Sequence, residues 1–113
     1  MTTDPALLSL TELAAAIRER RVSSLEATTA CLARIADWQP HLNAFISIES
    51  DEALAHAKAA DEALARGELK GSLHGVPMAH KDMFYSKGKV AACGSKLREG
   101  WVAPATATAV ERL

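Results

Sequence analysis

The residue best suited to chemistry in this chain is Lys81, which lies in the largely apolar stretch 71–84. Lysine is seldom fully buried unless it is paired. A lysine in apolar surroundings is a useful base, because burial disfavours its ammonium form. By spacing alone, however, such a lysine is most often the end of a strand that reaches solvent.

The segment 76–82 follows a glycine turn and predicts a short strand that presents Lys81. Side chains alternate between the two faces of a strand. On that basis Lys81 shares a face with Ala79, while His80 and Asp82 lie on the opposite face. We therefore interpret His80 as a packing residue, with a catalytic role as the alternative. For Asp82 we favour a residue that orients a loop or caps a turn over a general acid.

Other candidate ligands do not form a recognisable metal site. The chain has four histidines and two cysteines, namely His41, His56, His74, His80, Cys31 and Cys93. Their spacing matches none of the patterns that hold zinc. The two cysteines predict reduced, buried side chains and no disulfide framework. The sequence therefore indicates neither a metal nor another cofactor.

The charge balance excludes some classes of partner. The chain has 113 residues, with 13 basic and 14 acidic side chains and a formal charge of −1. That balance offers no electrostatic case for nucleic acid or an anionic membrane as a partner. No secretory signal pattern is present, and the longest early apolar run, Leu13–Ile17, is far below the ~20 residues of a membrane helix. A cytoplasmic protein is the expectation.

Three helices are predicted before the lysine segment. The first covers 9–20 and the second begins at the capping-box pattern Ser23-Ser24-Leu25-Glu26 and runs to about Trp38, with Pro40 ending it. Ser50 is expected to cap a third helix over 50–66, and Gly67 suits its left-handed C-terminal position.

Two strands complete the predicted architecture. The segment 44–48 is rich in β-branched and aromatic residues, and together with helix 50–66 and strand 76–82 it predicts a βαβ crossover. The expected fold class is α/β, with N-terminal helices and the start of a mixed sheet. Residues 85–104 read as a long loop, and Thr108 as the cap of a further helix.

The stretch 73–84 resembles the lysine-bearing segment of the amidase signature family. That family commonly shows Leu-His-Gly, a hydrophobic residue, Pro, an apolar pair and then Lys-Asp; here His80 stands where Ile or Val is usual. Similarity extends over nearly the whole chain, at Asn43-Ala44-Phe45, Ala59-Ala60-Asp61, Gly94-Ser95 and 107–113. The resemblance implies an incomplete amidase-like fold, with residues 1–113 as the N-terminal part of one domain that continues beyond Leu113.

The resemblance also implies a Ser–cis-Ser–Lys relay that hydrolyses amides. One serine attacks the carbonyl, a second serine on a cis peptide bond relays the proton, and Lys81 accepts it. The family's glycine- and serine-rich segment, which carries the cis serine, is absent from this sequence. The nearby serines Ser72, Ser86 and Ser95 lack its glycines, so the nucleophile role passes to none of them. We expect the chain alone to be inactive.

Two alternatives to a free amidase follow from the same residues. One is a glutamine amidotransferase subunit of the same family, because the residues that select the substrate lie mostly later in the chain. The other is a small interaction module in which Lys81 is incidental. The expected partner is a small-molecule amide, and a homo-oligomer is left open.

Overall fold

The computed structural model describes residues 3–113, whose regular structure is helical. The four α-helices are α1 (Leu10–Arg18), α2 (Ser24–Leu42), α3 (Ser50–Ala65) and α4 (Thr108–Arg112), and two short 3-10 turns cover Pro5–Leu7 and Lys96–Arg98. The chain forms two units, one that extends to Pro77 and one from Met78 to Leu113. No helix within the described residues is both long enough and apolar enough to cross a bilayer.

The starts of α1 and α2 are fixed by local hydrogen bonds, and the capping box predicted at Ser23 is confirmed. Each has a complete capping box, in which the N-cap serine accepts the N–H of a glutamate three residues later and that glutamate accepts the serine N–H. The serine–glutamate pairs are Ser9 with Glu12 and Ser23 with Glu26. Four backbone N–H groups that a helix start would leave unpaired are thereby bonded.

The end of α2 differs from the prediction, because the helix passes through Pro40 and stops at Leu42. Proline lacks an N–H, so the carbonyl of Ala36 loses its usual donor. Ala36 is exposed, and water can replace that donor. Asn43 then adopts a left-handed conformation, with φ 47°, and its N–H bonds to the carbonyl of Gln39 at 2.8 Å.

Two predicted helix caps are also corrected. Ser50 is the first residue of α3, and the cap position belongs to Glu49, which makes no side-chain capping bond. Likewise Thr108 lies inside α4, behind Ala107. The predicted stop of α3 is confirmed: Gly67 has φ 81°, and its N–H bonds to the carbonyl of Leu64 at 3.0 Å.

The core of the first unit is small and rich in alanine. Leu13 and Ile17 of α1 pack with Ala27 of α2, and four partly buried side chains close over them, Leu8, Val22, Leu64 and Val76. Ile17 is 1% exposed and is the largest fully buried side chain among residues 3–113. Val76 therefore fixes the start of the lysine segment to the helical core.

The predicted mixed sheet is wrong for the part of the chain that the structure describes. Neither 44–48 nor 76–82 forms a strand there, and the β pairing is one antiparallel bridge between Val90 and Val102. A strand exists only when a second strand pairs with its backbone. The first segment is instead tied to the preceding helix, where the Gln39 side chain bonds to the backbone of Ala44 and Phe45.

The stretch predicted as a long loop, 85–104, is held by backbone hydrogen bonds. On either side of the Val90–Val102 bridge, the Ala91 N–H bonds to the carbonyl of Trp101 at 3.0 Å, and the Ala103 N–H bonds to the carbonyl of Lys89 at 2.9 Å. Ala91 and Ala103 are buried. The second unit therefore has an ordered frame even though it has little regular secondary structure.

Candidate active site

Lys81 opens a tight turn rather than lying within a strand. The N–H of Phe84 bonds to the carbonyl of Lys81 at 3.0 Å, which closes a four-residue turn. The Lys81 side chain is exposed, and within residues 3–113 no hydrogen bond or ion pair engages its ammonium group. Because this segment is not a strand, the predicted placement of Lys81 and His80 on opposite strand faces does not apply. His80, predicted as a packing residue, is exposed.

The turn at Lys81 is tied to a distant part of the same unit by its neighbour Asp82. The Oδ2 atom of Asp82 accepts the N–H of Cys93 at 3.1 Å, and the thiol of Cys93 approaches the carbonyl of Asp82 at 3.7 Å. The prediction that Asp82 orients a loop is confirmed. Cys93 was not predicted as its partner, and it is exposed where burial had been expected.

Cys93 lies in a turn that makes this contact geometrically demanding. The Ser95 N–H bonds to the carbonyl of Ala92 at 2.9 Å, and the two central residues, Cys93 and Gly94, have φ 54° and 71°. Positive φ at both central positions is typical of a type I′ turn. A cysteine adopts that conformation at a steric cost, which the bond to Asp82 helps to offset.

An arginine stacked on two aromatic rings stabilises the same unit. The guanidinium of Arg98 lies 4.2 Å from the centre of the Trp101 ring and 5.3 Å from that of Tyr85. Arg98 also donates a hydrogen bond to the Tyr85 hydroxyl at 2.8 Å, and this bond raises the pKa of Arg98 above its ordinary value. Trp101 therefore anchors the frame of the second unit.

Within the first unit, Gly75 of the motif is bonded to the start of α2, which is bonded in turn to α3. Ser24, at the start of α2, is 1% exposed and its hydroxyl donates to the carbonyl of Gly75 at 2.5 Å. Asp61 of α3 accepts the N–H groups of Ser24 at 2.7 Å and Leu25 at 3.0 Å. This network was not predicted from the sequence, because its members lie 36 to 51 residues apart.

The remaining candidate residues do not assemble around Lys81. Within the described chain, none of the serines Ser72, Ser86 and Ser95 hydrogen-bonds to the lysine side chain. The histidines and cysteines form no cluster there that could hold a metal ion. The described peptide bonds are all trans. The site as it stands is one lysine on a braced turn.

Comparison with known proteins assigns this motif to a family. A family model described as Amidase matches residues 26–113, which include the whole lysine segment. The chain belongs to the amidase family. The resemblance recognised in the 73–84 motif is thereby confirmed.

Several bacterial proteins, each named as the A subunit of glutamyl-tRNA(Gln) amidotransferase, are similar to this member of the amidase family. The protein from Pseudomonas aeruginosa is 48% identical over 106 residues, which cover 94% of this chain and 22% of that protein. The protein from Methylococcus capsulatus is 49% identical over 104 residues, covering 92% and 21%. The chain thus spans about a fifth of the length of these relatives.

Solved structures give the same picture of the fold. One chain from a study of a vestigial protein complex, which reveals the evolutionary origins of an s-triazine catabolic enzyme, is 30% identical with a TM-score of 0.84. An inhibitor-bound form of that complex gives 0.85. Each match covers 92% of this chain and 23% of the other. The helical arrangement is therefore shared with a larger protein.

Proposed function

We propose that this chain carries the proton-accepting lysine of an enzyme that breaks the C–N bond of a carboxylic amide, and that Lys81 is that lysine. The observation that supports it is the position of Lys81-Asp82 within the 73–84 motif, inside the region that the amidase family model matches. Membership of the amidase family by itself indicates chemistry on amide bonds. The assignment of the role to Lys81 rests on the motif.

The proposed reaction uses Lys81 through two serines contributed from outside this chain. The nucleophilic serine attacks the amide carbonyl and gives its proton to the cis serine, which passes its own proton to the neutral amine of Lys81. The proton returns along this path to the leaving nitrogen as the C–N bond breaks. Water then hydrolyses the acyl-enzyme by the same relay. Backbone N–H groups stabilise the oxyanion at each stage.

A lysine takes part in such a relay only where its neutral amine is favoured. Burial supplies this condition, because a low-dielectric surrounding penalises the ammonium ion. Lys81 is exposed in this structure, and the chain spans 22% of the Pseudomonas aeruginosa relative. We infer that the remainder of an amidase-length protein provides the cover over Lys81, together with both serines. This chain by itself is proposed to be inactive.

The contribution of this chain is then to hold the lysine in place. Asp82 fastens the Lys81 turn to Cys93, and the Gly75 carbonyl, six residues before the lysine, is bonded to Ser24. A base must lie within hydrogen-bond distance of its proton donor, so a displacement of about 1 Å lowers the rate substantially. The bond between Asp82 and Cys93, within the second unit, restricts the turn that carries Lys81 and supports the proposed role.

A second candidate is favoured by the relatives themselves. Proteins 44–49% identical to this chain are named as the A subunit of glutamyl-tRNA(Gln) amidotransferase. We propose, as the narrower version, that the amide is that of glutamine and that the chain works with partner subunits in the cytoplasm. A free-standing amidase with a small amide substrate uses the same relay and remains the broader version.

The test uses a chimaeric protein, defined here as the Pseudomonas aeruginosa relative in which this chain replaces the matching 106-residue segment. It is assembled with its natural partner subunits, and ammonia release from glutamine and from simple amides is measured. We expect activity, with Lys81→Met lowering kcat about 10²- to 10⁴-fold. The matched control is Lys87→Met, which removes an exposed lysine from the same unit and should leave kcat unchanged.

The outcomes test the role of Lys81. Activity that falls in Lys81→Met and not in Lys87→Met supports the proposed relay. The amide that the chimaera prefers reports on the Pseudomonas aeruginosa part, which supplies most of the residues that select the substrate, and both versions of the proposal predict the same effect of Lys81→Met. Equal kcat for Lys81→Met and the unmodified chimaera would overturn the catalytic role. A folded chimaera without activity on any amide would favour an interaction module in which Lys81 is incidental.

A further inference from the structure

His74 of the motif is held at both ring nitrogens by backbone groups. Its Nε2 atom lies 2.8 Å from the carbonyl oxygen of Ala60 in α3, and its Nδ1 atom lies 3.2 Å from the backbone nitrogen of Lys70. His74 is half-buried. Both contacts lie within the first unit. The contact to Ala60 connects the loop after α3 to the helix, and the contact to Lys70 is local to that loop.

The chemistry of these two partners fixes the form of the imidazole. A backbone N–H can only donate, so Nδ1 must accept from Lys70 and carries no hydrogen. A carbonyl oxygen can only accept, so Nε2 carries the hydrogen and donates it to Ala60. The neutral tautomer with hydrogen on Nε2 satisfies both bonds. The other neutral tautomer and the doubly protonated ring lose at least the bond to Lys70.

The imidazole of His74 ties down the loop 67–77, in which the backbone hydrogen bonds near His74 join residues three apart. The His74 N–H bonds to the carbonyl of Gly71 at 3.2 Å, and the Val76 N–H bonds to the carbonyl of Leu73 at 3.1 Å. Gly75 lies between them with φ 77° and bonds to α2 through Ser24. The clip by His74 adds the contact to α3. The chain then reaches Lys81 after Pro77 and three further residues.

We propose that His74, as the neutral tautomer with hydrogen on Nε2, is a positioning residue for Lys81: it clips the loop 67–77 to α3 and so sets where the lysine segment begins. The proposal rests on the function proposed for Lys81. His74 acts through the backbone and contacts no reacting atom. Loss of the clip lets the start of the segment shift, so proton transfer to Lys81 slows.

The clip is tested first on this chain by nuclear magnetic resonance. In the ¹⁵N-labelled protein, the Nδ1 and Nε2 shifts of His74 should be those of an unprotonated and a protonated nitrogen respectively. Exposed His56 of α3 provides the comparison, and we expect it to show the averaged shifts of a ring without fixed partners. Averaged shifts at His74 would overturn the proposed tautomer.

Conservative variants separate the two bonds. In His74→Asn the side-chain oxygen can still accept from Lys70, whereas in His74→Gln the amide N–H can still donate to Ala60. Amide hydrogen exchange at Lys70 should accelerate roughly fivefold in His74→Gln, the effect of one lost hydrogen bond, and stay slow in His74→Asn. Equal exchange in both variants would show that the ring only fills space.

The link to Lys81 is tested in the chimaeric protein. His74→Phe should lower kcat about 10- to 100-fold with KM unchanged, and His74→Gln should restore part of it, while the control His56→Gln stays at the unmodified rate. If Lys81→Met is inactive but His74→Phe keeps full kcat, positioning by His74 is wrong and the proposed function stands. If Lys81→Met itself keeps full kcat, the proposed function fails, and the tautomer is still judged by its spectrum.

Discussion

The Asp82 carboxylate accepts the backbone N–H of Cys93 at 3.1 Å, and through this bond two tight turns of the second unit are held together. One turn begins at Lys81 and the other places Cys93 at φ 54°. An aspartate directly after the proposed base therefore acts on the frame of the site. Under the proposed function, this bond limits the movement of Lys81, as a general base requires.

Removing the Asp82 side chain should loosen the second unit. Asp82→Ala leaves the Cys93 N–H to water and should lower the local free energy of opening by about 1 kcal/mol, because the site is partly exposed. Hydrogen exchange at the Cys93 amide measures this. Asp82→Asn keeps an acceptor oxygen, so its Cys93 exchange rate should lie between those of the unmodified protein and Asp82→Ala. Asp37→Ala, at an exposed position of α2, serves as the control. An unchanged Cys93 exchange rate in Asp82→Ala would contradict the bracing role.

The backbone at Cys93 predicts an unusual stabilising substitution. Cys93→Gly should raise the free energy of unfolding by up to about 1 kcal/mol, because glycine adopts positive φ without a Cβ clash. Cys93→Ala keeps the steric cost and is the matched control. Urea denaturation compares the three proteins. A glycine variant no more stable than the alanine variant would show that the conformation carries no strain.

Alanine substitutions at three glycines near the motif distinguish the cost of a positive φ from the cost of a steric clash with a neighbouring side chain. Gly71→Ala meets open space and should be nearly neutral, whereas Gly67, also in open space, has φ 81° and should cost about 1 kcal/mol on replacement by alanine. Gly75→Ala should cost more than either, since it combines φ 77° with a Cβ only 3.0 Å from the Cβ of Ser24. Free energies of unfolding from urea denaturation test this order. Equal values for Gly67→Ala and Gly75→Ala would contradict the close packing against Ser24.

The capping boxes predict a loss of helix stability in acid. The hydroxyl and N–H of Ser9 lower the pKa of Glu12, and the N–H and hydroxyl of Ser23 lower the pKa of Glu26. A glutamate whose pKa is lower in the folded state than in the unfolded state stabilises the folded state at pH values above its unfolded pKa, roughly 4.3. That stability is lost as the pH falls through the lower pKa of the folded state. Circular dichroism should show fraying of α1 and α2 there. Glu12→Gln with Glu26→Gln should abolish this component, and an unaltered acid transition would argue against it.

The helices could be predicted from the sequence because their signals are local. The bonds of Ser9 with Glu12 and of Ser23 with Glu26 join residues three apart, and Gly67 stops α3 by its own conformation. Strands are different, because a strand depends on a partner that lies anywhere in the chain. The segments 44–48 and 76–82 have strand composition, yet neither pairs with another strand within residues 3–113.

The lysine motif was recognisable, but its supports were not. Cys93 lies 11 residues from Asp82 and Ser24 lies 51 from Gly75, and neither spacing belongs to a repeating pattern. A cysteine with positive φ has no composition signal either, since glycine, asparagine and aspartate usually fill that conformation. The two contacts behind the role proposed for His74 are visible only in the structure, once Ala60 and Lys70 are placed.

Chemical rescue of Lys81→Ala in the chimaeric protein tests the central claim most directly. A small primary amine that diffuses into the space left by the lysine side chain can take the proton that Lys81 is proposed to accept. We expect ammonia release from glutamine, lost in Lys81→Ala, to return in proportion to the concentration of neutral ethylamine, with no such increase for Lys87→Ala. A Lys81→Ala chimaera that is fully active without amine would contradict the proposal that Lys81 is the base.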